Sequence, residues 1–437
     1  MERLQVPGVA VGVLHGDQEF TAALGVTSVE NPLPVDTDTL FQIGSTTKTV
    51  TGTVAMRLVE QGKLSLDEPV RTYLPELRLS DPDVAERVTL RHLLTHTAGW
   101  VGDIFDETGW GDDALARMVA QMADIPQLTP LGATFSYNNA GFYLAGRLIE
   151  VVTGLPYETA AREMLLDPLG MTRSFFLPGD VMTYRFACGH IVHDDGPRVA
   201  RPWALARNAN PVGGLSSSVR DQLRYARFCL GDGTTPDGTR LLQTDTMRQM
   251  QTPLVEIDPF GGWRGLGWIV RDVGGVRVVA HGGATNGQLS AFQLAPDQRF
   301  AVTVLTNADR GVQLHTEAVE WALEHFVGAV EPERPPLTVG EAALAEYAGY
   351  YEGRLSDIEL TVQDGGLVMQ VIPNGGFPLK SSPPGPTPPP ARLALVGRDM
   401  ALGVEAPFKA NRAHFLRNEQ GRFEWFHFGG RMRRRRA

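Results

Sequence analysis

The chain has 437 residues, 43% hydrophobic and 21% charged, which is enough for two or three structural units with sizeable cores. Its formal net charge of −10 excludes the broad basic surface that nucleic-acid binding requires, so no nucleic-acid partner is expected. No apolar run approaches the roughly 20 residues that span a bilayer, and the two cysteines, Cys188 and Cys229, are expected to be free core thiols.

In chain order, Val9–Leu14 and Glu19–Leu24 read as two strands of a hairpin turning at His15-Gly16-Asp17. No leader is legible before them, which leaves an intracellular protein or one whose leader has been removed. Thr46–Gln61 carries Val50, Val54 and Leu58 at helical spacing and stops at Gly62, so a buried helix with Ser45 at its opening is expected. The middle, about 62–260, is rich in helix signals, the clearest being Asn139–Thr153 before Gly154 and then Tyr157–Leu166. From Leu266 the texture becomes β-rich: Leu266–Arg271, Val276–Ala280, Leu289–Ala295 and Phe300–Thr306, closed by a helix at Val312–Phe326. The fold class is therefore α+β: one antiparallel sheet to which both ends of residues 1–330 contribute, with flanking helices and a helical insertion.

Glu331-Pro332-Glu333-Arg334-Pro335-Pro336 reads as a stiff linker, so a boundary is placed at 331–337. In 338–437, strand-like runs occur at Tyr347–Tyr351, Ile358–Gln363, Leu367–Ile372, Arg392–Val396, His414–Arg417 and Arg422–Phe428. Turns are expected at Asp364-Gly365-Gly366 and Asn418–Gly421, giving a small antiparallel β-barrel. Pro383–Pro390 is a loop, and the terminal run Arg431–Arg436 reads as a solvated tail or strand end.

Three short motifs carry chemistry. The first is Ser45-Thr46-Thr47-Lys48. A serine at a helix start with a lysine three residues on places hydroxyl and amine on one face, and a nucleophilic serine needs a group that takes its proton. Arginine cannot do this because it stays protonated, whereas a buried lysine can. Only four of the 40 basic residues are lysine, and 13 serines at that frequency give about 0.1 chance matches to this spacing. The second motif is Tyr137-Asn138-Asn139: a phenol able to bridge serine and lysine, and a carboxamide able to hold the lysine or a substrate carbonyl. The third is His281-Gly282-Gly283-Ala284 at the end of a strand, where two glycines admit a close substrate backbone. There the Ala284 N–H, with that of Ser45, would form an oxyanion hole.

Together, in order and spacing, these motifs resemble the serine β-lactamases, penicillin-binding proteins and related hydrolases, among them DD-peptidases, D-aminopeptidases and family VIII carboxylesterases. Tyr-x-Asn matches the class C branch. Leu93–Gly99 and Pro211–Ser217 support the match, which covers about 1–328. The resemblance implies Ser45 as nucleophile, Lys48 as base, Tyr137 as proton shuttle, Asn139, His281, Gly282 and Gly283 on the substrate, and Ala284 as oxyanion donor. It also implies a lipocalin-like C-terminal domain, a small peptide, amide or ester substrate, a possible homo-oligomer and no cofactor. The sequence departs from the β-lactamase pattern at His281, where lysine is usual. Neutral imidazole supplies no fixed charge, which favours peptidase, amidase or esterase activity. A β-lactamase, or a penicillin sensor that acylates without turnover, is the alternative.

Two metal readings are weaker. His92 and His96 are spaced i, i+4 but lack the glutamate of zinc peptidases, so buried or capping roles are expected. His190 and His193, before Asp194 and Asp195, are expected on a solvated loop. No metal site is therefore assigned, and no G-x-S-x-G elbow occurs at Ser45.

Overall fold

A computed structural model describes residues 1–436. Strand β1 (Gly8–His15) pairs with β2 (Gln18–Gly25) across the expected hairpin. Helix α1 (Thr47–Glu60) and helix α2 (Asn139–Thr153) follow, then helix α3 (Val219–Leu230). The later strands are β3 (Val255–Asp258), β4 (Gly262–Arg264), β5 (Ile269–Val273), β6 (Val276–Ala284), β7 (Leu289–Ala295) and β8 (Phe300–Thr306). Helix α4 (Gly311–Val327) closes the series. The eight strands form one antiparallel sheet in the order β2-β1-β8-β7-β6-β5-β4-β3, so the N-terminal strand lies beside the last one, Val9 opposite Thr306. Every residue of β8 is buried, as its continuous apolar run requires of a strand covered on both faces.

Helix α1 runs through the core beneath the sheet. It is threonine-rich yet almost wholly buried, and its hydroxyls are satisfied locally: Thr49 bonds the Thr46 carbonyl, while Thr51 and Thr53 reach the Tyr157 and Tyr225 hydroxyls. Helix α2 begins where Asn138 caps it by accepting from Gly141 N at 2.8 Å, and ends at Gly154 in the left-handed conformation.

Residues 349–435 close into an eight-stranded antiparallel barrel: β9 (Gly349–Glu352), β10 (Ser356–Gln363), β11 (Gly366–Pro373), β12 (Ala391–Gly397), β13 (Met400–Gly403), β14 (Arg412–Arg417), β15 (Phe423–Phe428) and β16 (Arg431–Arg435). Its own core holds Tyr347, Tyr351, Phe415, Phe423 and Phe426.

Several sequence expectations need correction. Ser45 does not open the α-helix; it sits in a single 3₁₀ turn, Gly44–Thr46, just before it. The third motif does stand at the end of its strand, but that strand is longer than expected, β6 continuing through the motif to Ala284. Strands β3 and β4 extend the sheet back into the region expected to be helical, and β13 and β16 complete a barrel for which six strands were expected. Of the two readings of the terminal arginines the strand holds and the solvated tail does not: β16 pairs with both β15 and β9. His190 and His193 belong to a strand, His190–His193, and His190 is buried against the Asn307 carbonyl at 2.7 Å. Both cysteines are free, as expected, but only Cys229 lies in the core, Cys188 being half-buried.

Candidate active site

Ser45 is placed by close backbone packing between its 3₁₀ turn and β6. Gly283 allows it: a Cβ there would lie 1.8 Å from the Ile43 carbonyl oxygen and 2.8 Å from Ser45 N. Gly44 faces Ala284 in the same way, at φ +51, with room for no side chain. Thr46 and Ser290 hydroxyls, 2.8 Å apart, tie the turn to β7, and Ser290 donates to the Ile43 carbonyl at 2.7 Å. The backbone of Ala284 is thereby held beside that of Ser45.

Lys48, on the first turn of α1, is fully buried. Its Nζ lies 2.9 Å from Ser45 Oγ and donates to the Val212 carbonyl at 2.8 Å. Burial above all, then the Arg431 and Arg264 guanidiniums, hold its pKa well below the usual lysine range, with Asp103 opposing. A neutral amine in hydrogen-bond reach of a serine hydroxyl is the arrangement that general-base activation needs.

Tyr137 reaches the same pair from the loop before α2. Its ring stacks on His96 at 4.4 Å, and Lys48 Nζ lies 5.0 Å from its centroid. The hydroxyl is buried beside Ser45 without a fully formed hydrogen bond. Burial raises its pKa, against lowering by the Ser45 hydroxyl, Arg264 and Arg431.

Asn139 is the first residue of α2, but its amide does not hold the lysine: Nδ2 donates to Asp103 Oδ1 at 2.7 Å. Asp103 in turn takes two bonds from Arg431, at 2.6 and 3.0 Å. Arg431 starts β16, and the β15–β16 turn of the barrel enters the site, where Tyr137 N donates to the Gly430 carbonyl at 2.8 Å. His281 is buried with Nδ1 2.6 Å from the Gly282 carbonyl, and burial holds its pKa well below the ordinary histidine value. Its Nε2 faces Arg264 Nη2 at 3.4 Å.

The structure brings Lys48, Tyr137, Gly283 and Ala284 to the Ser45 turn, while Asn139 bonds Asp103 and His281 faces Arg264. It adds Asp103, Arg264, Arg431 and Val212. Val212 lies in the Pro211–Ser217 segment already tied to the resemblance, whereas the other three had no local signal. His92 and His96 do not face a common ion. His92 Nδ1 caps its own helix at Thr89, and His96 turns to Tyr137 and Arg264. Among the described residues no group of three or more His, Cys, Asp or Glu side chains is arranged to hold a metal, and no helix is long and apolar enough to cross a membrane.

Residues 1–325 match the family model described as Beta-lactamase. "Penicillin-binding protein 4" of Amycolatopsis lactamdurans is 36% identical over 356 residues, 79% of this chain and 93% of that protein. "Esterase EstB" of Burkholderia gladioli is 33% identical over 214 residues, 46% of this chain and 53% of that protein. Among solved structures, that of SurE with D-Leu superposes with a TM-score of 0.75 at 27% identity, covering 100% of this chain and 96% of SurE.

Proposed function

The chain belongs to the Beta-lactamase family, and from that premise we propose that it is a serine hydrolase forming an acyl-enzyme on Ser45. The observation that carries the reading is the buried Lys48 amine 2.9 Å from Ser45 Oγ. Ser45 attacks the substrate carbonyl carbon while Lys48 Nζ takes its proton. The negative oxygen of the tetrahedral intermediate rests on the N–H groups of Ser45 and Ala284. Tyr137 then hands its proton to the leaving amine or alkoxide and is reprotonated by the Lys48 ammonium, which restores both groups before water hydrolyses the ester on Ser45.

The substrate class is a small amide or ester: a short peptide, including one with a D-residue, or a simple carboxylic ester. His281 supports this choice, because a neutral imidazole stands where β-lactamases of the resemblance carry a lysine. So do the similarities to an esterase and to a structure solved with D-leucine. Residues 1–330 form the hydrolase unit and 338–437 the barrel unit, joined through 331–337. The similarity to a penicillin-binding protein favours one second reading, acylation by penicillin with little turnover.

The test is a panel of D-aminoacyl amides, D-Ala-D-Ala peptides, short p-nitrophenyl esters and nitrocefin on wild type and Ser45→Ala. Turnover of an amide or ester is expected, falling roughly 10⁴-fold or more in Ser45→Ala with an unchanged thermal transition. Activity retained in that variant overturns the assignment. A one-equivalent nitrocefin burst without turnover of any other member selects the second reading.

A further inference from the structure

Arg264 ends β4 with its side chain fully buried, yet among the described residues no carboxylate pairs with it. Burial pushes its pKa down to about 10, which still leaves it charged at neutral pH. Two of its donors, Nε and Nη1, have no protein partner. A buried charge left unpaired is strongly unfavourable, so its retention calls for a compensating role.

Its neighbours show what that role is. Nη2 donates to His96 Nε2 at 2.7 Å and faces His281 Nε2 at 3.4 Å. Arginine can only donate, so His281 Nε2 is an acceptor and that ring carries its proton on Nδ1, toward the Gly282 carbonyl at 2.6 Å. His96 Nδ1 is held at the Asn138 backbone, 3.0 Å from its carbonyl and 2.9 Å from its N–H. His96 is the ring on which Tyr137 stacks, and the guanidinium carbon itself is 5.9 Å from the Tyr137 centroid. The guanidinium therefore backs the rings on one side of the site, while Lys48 and Arg431 approach Tyr137 at 5.0 and 4.9 Å.

Resting on the serine-hydrolase reading above, we propose that Arg264 is a positioning residue. Its guanidinium holds the His96 and His281 rings in place behind Tyr137 and brings a fixed positive charge to the Ser45–Lys48–Tyr137 cluster. The groups facing Lys48 are Ser45, the Val212 carbonyl, the Tyr137 and Phe142 rings, Arg264, Arg431, His96, His281 and Asp103. Asp103 is the one anion there and is already bonded twice to Arg431. The uncompensated charge is that of Arg264, and it disfavours protonation of the lysine. Its effect on Lys48 acts in the same direction as burial.

The sign of the effect follows. The active form has Lys48 neutral, so kcat/KM rises with pH through the lysine's lowered pKa. Removing the Arg264 charge raises that pKa and moves the acid limb to higher pH. In Arg264→Met and Arg264→Gln the limb is expected to move up by about one unit, a tenfold loss below the limb, with recovery to within a few-fold of wild type on the alkaline plateau. Arg264→Lys, which keeps the cation, leaves the limb near its wild-type position. A profile lowered equally at all pH values, or not changed at all, overturns the proposal. Should the neutral variants fail to fold, ¹⁵N-histidine NMR of the wild-type protein decides: His281 stays a neutral Nδ1–H tautomer throughout the acid limb. An Nε2–H tautomer of His281, or its protonation within that range, overturns it equally. Ser45→Ala separates the two claims, since its inactivity beside an unmoved Arg264 profile sinks this inference alone.

Discussion

At the scale of single residues, Lys48 couples stability to catalysis. It is an amine taken wholly out of water, with two arginines near and one carboxylate that is already engaged. A depressed folded-state pKa means the unfolded chain binds a proton that the native chain does not. Native stability therefore rises with pH from the lowered value up to the ordinary lysine range, and the contribution is lost as pH falls. Lys48→Met removes both the titration and the base. We expect turnover to fall at least 10³-fold, by analogy with losing a member of a catalytic unit. Stability at pH 6 is expected to be retained or increased, because a buried ionisable group is replaced by an apolar one of similar volume. Denaturation midpoints at pH 6 and 9, with rates on a p-nitrophenyl ester, check both halves. A variant that loses stability more at pH 6 than at pH 9 contradicts the sign.

At the scale of elements, the site is a matter of backbone approach. The Gly44–Thr46 turn and β6 touch so closely that Gly283 has no room for a methyl group, its Cβ falling 1.8 Å from the Ile43 oxygen. Gly283→Ala must push the turn and strand apart, displacing Ser45 N from Ala284. A shift of about 1 Å at reacting groups costs on the order of 10²-fold in rate, so kcat is expected to fall by that factor with a lowered Tm. Gly282 has its nearest neighbour at 3.4 Å, the Ser290 carbonyl, and Gly282→Ala is expected to be much milder. Equal losses in the two variants would show that strand flexibility, not the contact with the turn, is what matters. This contrast also marks what the sequence could carry. The Ser45, Tyr137 and His281 motifs were legible because each is a short, locally ordered pattern with its chemistry inside it. Helix α2 was legible to the residue because Asn138 and Gly154 cap a clean period. Arg264 was not, since only the pairing of β4 with β5 and β6 beyond it turns that side chain to His96, and β4 is three residues long. Strands that short carry no period of their own.

At the scale of the molecule, the C-terminal barrel is part of the site and not an appendage. Its β15–β16 turn takes the Tyr137 N–H on the Gly430 carbonyl, and Arg431 locks Asp103, which in turn fixes the Asn139 amide. Nothing in the run Arg431–Arg436 announced this, because the partner of Arg431 lies 328 positions away and is supplied by a loop. A second tether, Lys380 to Asp106 at 2.7 Å, joins another barrel loop to the same segment of chain. Arg431→Met should therefore leave Asp103, whose side chain is 5% exposed, buried and unpaired. Removing one partner of a buried pair costs about 3–5 kcal/mol, and the lower end applies because Arg431 keeps 30% of its side-chain exposure. Asp103→Asn with Arg431→Met removes both charges and is expected to recover most of that stability. Turnover does not follow stability back: in both variants residue 103, which accepts from Asn139 Nδ2, has lost the Arg431 side chain that locks it, and kcat/KM is expected to stay at least tenfold down. Denaturant titrations and kinetics on the two single variants and the double one form the cycle that separates these terms. Activity returning in step with stability would mean that the barrel supports the fold of the site without orienting the groups within it.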